Sequence, residues 1–256
     1  MLIDTHHKGH NSDMLGTQPN ILVFGAHAAD YCFRSGGTIL RYLDNGSRVR
    51  VVSATFGEKG ESAPQWATAE ATLASVKGIR RAEAEKAASI LGVEIKFLDL
   101  GDNPLFIDNE RMNLYVEEIC NFLPDIILTH WTYEPTNQDH QIVGEAAIRA
   151  VGLARAKLVQ DNQIFKRPRI FLFEPDILSQ PILNFVPDTY IDFTPYAEQK
   201  FAALSAYLPS QPGINERWPE RGKLRGLEAS NLGGLKDCKY AEAFKRFQPY
   251  AGDFFV

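Results

Sequence analysis

Apolar and polar positions along this chain fall into blocks of two kinds. Short runs rich in aliphatic and β-branched residues, Ile21 to Ala26, Val49 to Thr55, Ile95 to Leu100, Asp125 to His130, Ile170 to Phe173 and Tyr190 to Phe193, read as strands. Between them lie segments with apolar residues at helical spacing: Thr38 to Asp44, Val76 to Leu91, Met112 to Phe122 and the Ala-rich Gln141 to Val159. Gly36-Gly37 reads as a turn into the first of these, and Asn45-Gly46 and Gly92 as helix stops. Strands alternating with helices predict an α/β fold, with a mostly parallel sheet covered by helices on both faces. After Phe193 the pattern changes. Thr194 as N-cap and Pro195 at the first helical position open a helix to Tyr207. Residues 209 to 236 are rich in Pro, Gly, Arg and Glu without clean periodicity, and read as a long ordered loop or insertion. Ala241 to Phe247 reads as a closing helix. With no repeat, low-complexity stretch or linker, residues 19–256 are expected to form one domain behind a polar tail, residues 1–18.

Composition narrows the function classes. A net charge of -5 over 256 residues argues against a general nucleic-acid binder. No run approaches the roughly 18 apolar residues of a membrane span, and Met1 to Gln18 lacks the apolar core of a secretory signal. Cys32, Cys120 and Cys238 are far apart and form no CxxC, which fits a reducing, cytoplasmic setting. Cys120 reads as core; Cys32 reads as core or as pocket lining.

The candidate chemistry sits at strand ends. The run Ile21 to Phe24 stops at Gly25-Ala26-His27-Ala28-Ala29-Asp30, and in open α/β sheets ligands bind at the carboxyl edge of the strands. His27 and Asp30 are either metal ligands or a buried histidine and a helix cap. A second pair, Asp139-His140, follows the strand-like run ending at His130. His27, Asp30 and His140 together suggest a zinc site with an open position, and hence catalysis. Asp139 reads as an outer partner of His140 or a helix cap. His130 reads as support for the metal site or a proton donor, and Trp131 and Tyr133 as a pocket wall or packing. The cluster His6-His7-Lys8-Gly9-His10 reads as a solvated tail or an adventitious metal binder.

Several separated motifs resemble the PIG-L/LmbE zinc hydrolase superfamily in the right order. They are His27-Ala28-Ala29-Asp30, Gly36-Gly37-Thr38, Thr55-Phe56-Gly57-Glu58, Arg80-Arg81-Ala82-Glu83, Leu91-Gly92, Asn137-Gln138-Asp139-His140 and Tyr240-Ala241-Glu242-Ala243-Phe244. The resemblance covers roughly residues 20 to 250 and implies a Rossmann-like fold, with zinc held by His27, Asp30 and His140. The departures bear on the reaction. The family pattern is Ala-His-Pro-Asp-Asp-Glu, and its deacetylases use the first Asp of the pair as general base. Here that position is Ala29, which cannot carry a proton, and the following Glu is Tyr31. The oxyanion-stabilising His of the second motif is Asn137, which is assigned here to substrate binding.

Gly25 to Asp30, Phe56-Gly57-Glu58-Lys59-Gly60-Glu61-Ser62 and Asp99-Leu100-Gly101-Asp102-Asn103-Pro104-Leu105 are similar to the hydratase branch, which adds water to a C=C bond of 4-oxalomesaconate in aromatic-acid breakdown. A glutamate after the second strand transfers protons in that branch. Glu58 is the expected match, with Glu61 in reserve. That branch also uses a histidine where this chain has Asp176, after Glu174-Pro175. The leading expectation is therefore a zinc-dependent hydratase of a small oxo-polycarboxylate, with an N-deacetylase or amidohydrolase as the alternative. A polycarboxylate calls for cations. Arg80, whose Arg-x-x-Glu spacing matches the family motif, is the preferred substrate-binding arginine, with Arg34 and Arg81 as other candidates. Arg217, Arg221, Lys223 and Arg225 read as a solvated loop, a basic lid or an oligomer contact. A homo-oligomer acting on a small anion, without nucleic acid or membrane, is expected.

Overall fold

A computed structural model describes residues 18–176 and 184–251. The expected tail, Gln18 apart, and its histidine cluster lie outside the described residues. Seven strands form one sheet: β1 (Ile21–Gly25), β2 (Val49–Ser53), β3 (Glu94–Phe97), β4 (Ile126–Thr129), β5 (Arg169–Phe173), β6 (Thr189–Asp192) and β7 (Ala241–Arg246). Their spatial order is β3-β2-β1-β4-β5-β7-β6. The five strands from β3 to β5 are parallel; β7 pairs antiparallel with both β5 and β6. The helices are α1 (Asp30–Asp44), α2 (Ala63–Trp66), α3 (Leu73–Leu91), α4 (Asn109–Phe122), α5 (Gln138–Gln160), α6 (Ala197–Leu204) and α7 (Ile214–Asn231).

Alternation along the central strands builds two cores. Ile21, Val23, Val51 and Leu128 face one layer with Ile39 of α1, Ala84 and Ala87 of α3 and Leu204 of α6. Leu22, Phe24, Val52 and Ile127 face the other with Tyr115 of α4 and Val143 and Ala147 of α5. Helices thus cover both faces, as the alternating pattern predicts. Among the described residues no helix is long and apolar enough to cross a membrane. Cys32 belongs to the first core, where burial pushes its thiol pKa up, and it lines no cavity near the site. Trp131 packs on the second core while Tyr133 is exposed.

Three elements differ from expectation. First, α1 starts at Asp30, so Gly36 and Gly37 lie inside a helix rather than in a turn. The close approach of Phe193 requires the glycine: a Cβ on Gly37 would sit 2.4 Å from Phe193 Cβ. At this point Glu242 of β7 reaches α1. Its carboxylate accepts the Gly37 and Thr38 amides at 2.9 and 2.7 Å, with the Lys200 ammonium alongside. A Gly37→Ala variant is expected to lose about 1–3 kcal/mol from overpacking, read as a lowered denaturation midpoint.

Second, residues 241–246 form a strand, not a helix. The Ala-Glu-Ala composition favours helix by propensity, but pairing on both sides and full satisfaction of buried Glu242 override it. Third, most of the expected 209–236 loop is helix α7. Beyond Ile214 at its start, its inward face is Arg221, Gly222, Arg225, Gly226 and Ala229, so no apolar stripe marks it. Gly226 is needed there because a Cβ would meet the Lys239 carbonyl at 2.5 Å.

Candidate metal centre at the switch point of the sheet

Strand order reverses between β1 and β4, and the crevice beyond their carboxyl ends is where such sheets bind ligands. His27 and Asp30 leave β1 there, and the His27 amide donates to Asp30 Oδ2 at 2.7 Å, fixing the turn into α1. His130 ends β4, and His140 stands in the first turn of α5. The three histidines within the described residues therefore meet in one place. His140 Nε2 lies 3.2 Å from His27 Nδ1 and 3.5 Å from Asp30 Oδ1. Glu61, from the turn after β2, approaches His27 Nδ1 at 3.3 Å. One ligand atom each from His27, Asp30, Glu61 and His140 lies within 4.8 Å of the others.

Outer carboxylates set the ring orientations. Asp139 Oδ2 is 3.4 Å from His27 Nε2, and its two oxygens accept the Asn103 and Leu105 amides at 2.9 and 3.0 Å. Glu134 Oε2 is 3.0 Å from His140 Nδ1, while Oε1 accepts the Asp176 amide at 2.8 Å. Protons on His27 Nε2 and His140 Nδ1 leave His27 Nδ1 and His140 Nε2 free to point at a cation. His130 lies beneath, with Nε2 3.1 Å from Asp30 Oδ2 and its ring stacked on His140 at 4.1 Å between centroids.

The charges call for a cation. Burial would raise the Glu61 carboxyl, but the charge of His27 and a hydrogen bond to it hold it at about 2. Glu134 and Asp139 are likewise held at about 2 against burial, by their bonds to His140 and His27 respectively. Burial alone would lower the His27 pKa, yet Glu61, Asp139 and Asp30 drive it well above its usual value. Two imidazoles and two carboxylates around one point suit a divalent ion, so the donor set fits a metal centre. Glu134→Ala should weaken metal binding about 10- to 100-fold by freeing the His140 ring, measurable by competition with a chromogenic chelator.

Two cavities flank the cluster. The larger, about 490 Å³, is lined by His27, Glu61, Asn137, Asp139 and the segment 103–106. The smaller, about 70 Å³, lies between α1 and α7 and is lined by Asp30, Arg34, Glu61, Asp176, Arg217 and Arg221, among others. Glu61 borders both.

His27, Asp30, His140, Asp139, His130 and Asn137 are thus brought together, with Asn137 Nδ2 3.1 Å from His140 Nε2. Two expected residues are not. Glu58 lines neither cavity. Its carboxylate accepts the Phe56 amide at 3.1 Å and faces Lys77 at 3.5 Å. The chain turns at Gly57 (φ 71°), and Asp102 accepts the Lys59 and Gly60 amides, so Glu61 swings toward His27 in its place. Arg80 is fully buried and has no face open to a substrate. It donates to the Phe56 carbonyl at 3.0 Å, Glu83 at 3.0 Å and Glu61 Oε2 at 3.2 Å, which makes it a support for Glu61. Glu134 was missed by sequence reasoning. Its only signal is a carboxylate lying between His130 and His140.

The family model described as GlcNAc-PI de-N-acetylase, PIG-L, matches residues 22–151. A 4-oxalmesaconate hydratase of Pseudomonas putida is 33% identical over 236 residues, covering 91% of this chain and 90% of the relative. A probable N-acetyl-alpha-D-glucosaminyl L-malate deacetylase 2 of Bacillus cereus is 24% identical over 226 residues, 85% of this chain and 94% of the relative. The crystal structure of GalB, the 4-carboxy-2-hydroxymuconate hydratase of Pseudomonas putida, matches with a TM-score of 0.87 at 31% identity, covering 93% of this chain and 100% of that one.

Proposed function

The chain belongs to the PIG-L family, and from that premise we propose that it is a zinc-dependent hydratase adding water across the C=C bond of a small oxo-polycarboxylate of the 4-oxalomesaconate kind. The observation that carries this reading is a retained metal cluster beside a missing deacetylase base. His27, Asp30 and His140 stay together with Glu61, whereas position 29 is an alanine with no exposed surface. The likeness over most of the chain to a hydratase of Pseudomonas putida, in sequence and in structure, supports the same choice.

In this reading His27, Asp30 and His140 hold the ion. Zinc bound there would act as a Lewis acid on the substrate's oxo group. Glu61 transfers the protons. It takes one from the water whose oxygen adds to one alkene carbon, and a proton is delivered to the neighbouring carbon. Arg80 and Gln211, both bonded to Glu61 Oε2, at 3.2 and 2.9 Å, keep that carboxylate aimed. His130 and Asp139 fix Asp30 and His27 from outside, and Asn137 faces the substrate from the larger cavity.

The test is the loss of ultraviolet absorbance of 4-oxalomesaconate with zinc-loaded protein. Loss that disappears after chelation and returns with zinc is expected; no loss by protein with zinc bound would overturn the reading. The deacetylase alternative rests on relatives such as the Bacillus cereus protein. Ala29→Asp would restore the carboxylate at the deacetylase position. No gain in acetate release from N-acetylglucosamine conjugates is expected, because a hydratase never used that position.

A further inference from the structure

Resting on the hydratase reading, we infer that Arg217 is a specificity-determining residue: it receives the substrate carboxylate remote from the reacting bond, in the cleft between α1 and α7. The two cavities differ in charge. Among the described residues the larger has no Lys or Arg in its lining, whereas the smaller has three arginines, Arg34, Arg217 and Arg221. A polyanion bound at the cluster therefore finds its cations only on the α7 side.

Two of the three arginines are already engaged. Arg34 donates to Asp30 at 3.3 Å and to the Glu174 carbonyl at 2.6 Å. Arg221 faces Glu174 Oε2 at 2.9 Å and donates to the Pro175 carbonyl. The Trp218 ring centroid lies 5.9 Å from Arg34 Cζ and 5.0 Å from Arg221 Cζ. They form a fixed wall. Arg217, one turn before Arg221 on α7, lines the same cleft and is exposed. No ion pair of Arg217 occurs among the described residues.

The formal charges make the cleft a receptor for an anion once the metal is in place. Its acidic lining, Asp30, Glu61 and Asp176, balances the three arginines. A divalent ion held by His27, Asp30 and His140 tips the cleft positive, because Asp30 belongs to its lining. Asp30 and Glu61 belong both to the cluster and to the cleft, so the cleft runs from the cluster to Arg217. A guanidinium fork matches a carboxylate there in two parallel hydrogen bonds. A rim arginine that merely faces water would contribute none of this.

The experiment compares the zinc-loaded wild type with Arg217→Ala and Arg217→Lys, each checked for an unchanged melting curve and zinc content. With 4-oxalomesaconate, Arg217→Ala should raise KM about 10- to 100-fold with kcat nearly kept, and Arg217→Lys should fall between. Calorimetry with tricarballylate and glutarate gives a second readout that needs no turnover. The wild type should prefer the tricarboxylate, and Arg217→Ala should lose that preference. An unchanged KM and unchanged preference would overturn the inference. So would failure of both probes to bind the wild type. If 4-oxalomesaconate is not turned over, the hydratase reading fails by itself. Loss of tricarballylate binding in Arg217→Ala would then still support the carboxylate subsite.

Discussion

Replacing Glu61 by Gln should lower kcat for hydration by about 10²- to 10⁴-fold, the usual contribution of a positioned acid or base. Glutamine keeps the size of the side chain and its hydrogen bond to Arg80 is reduced rather than lost. His27, Asp30 and His140 remain to hold the metal, so zinc content by atomic emission should stay near that of the wild type. The parallel variant Glu58→Gln separates two neighbouring carboxylates. Glu58 bonds the Phe56 amide and faces Lys77, away from both cavities. Its turnover should stay within a few-fold of wild type. A collapse in Glu58→Gln with a silent Glu61→Gln would reverse the assignment.

The second large effect is expected at Asp30. Asp30→Ala removes a candidate ligand and also the partner of three buried groups: the His27 amide, Arg34 and His130. Arg34 then loses its ion-pair contact while staying buried, with Glu134 and Asp176 as its remaining negative neighbours. Removing one partner of a buried ion pair costs about 3–5 kcal/mol. The variant should therefore lose bound zinc, lose turnover and unfold at lower denaturant. Chelation of the wild type provides the comparison, since it removes the ion but leaves the Asp30–Arg34 pair. A stable, zinc-replete Asp30→Ala protein would rule out this arrangement.

What could be read beforehand was whatever depends on local spacing. His27 and Asp30 share a single strand-end turn, and Asp139-His140 opens a helix, so a pattern of residue types at carboxyl edges sufficed to draw attention to them. Parallel strands were legible for the same reason, since buried β-branched runs separated by helices have few other solutions. Glu134 was not legible, because its contact with His140 depends on the path of the loop between β4 and α5. The burial of Arg80 could not be read, because Arg-x-x-Glu looks the same whether its helix face points to solvent or into the protein. Arg80 is buried and bonds Glu61. Which of Glu58 and Glu61 lies beside His27 depends on how the chain bends at Gly57, and three residues of sequence separation carry no such information. Helix α7 and strand β7 were hidden by their own composition. The inner face of α7 is polar and small, and β7 is written in residues that favour helices.

The bond from Glu242 to the middle of α1 has a consequence for the order in which the protein is made. His27, Asp30, Glu61 and His140 all leave the ribosome before β7 does. The carboxylate that holds the Gly37 and Thr38 amides arrives roughly 100 residues later, in the strand that fills the gap between β5 and β6. At about 5–20 residues per second that is a delay of about 5–20 s. Throughout it, the helix carrying Asp30 and Arg34 lacks its anchor, and the nascent chain displays imidazoles and carboxylates that have not yet been locked in place. Metal capture before the last strand docks would meet a loose set of ligands; capture afterwards meets a finished one. Strand β7 is thus a late-made support for the helix that carries Asp30 and Arg34.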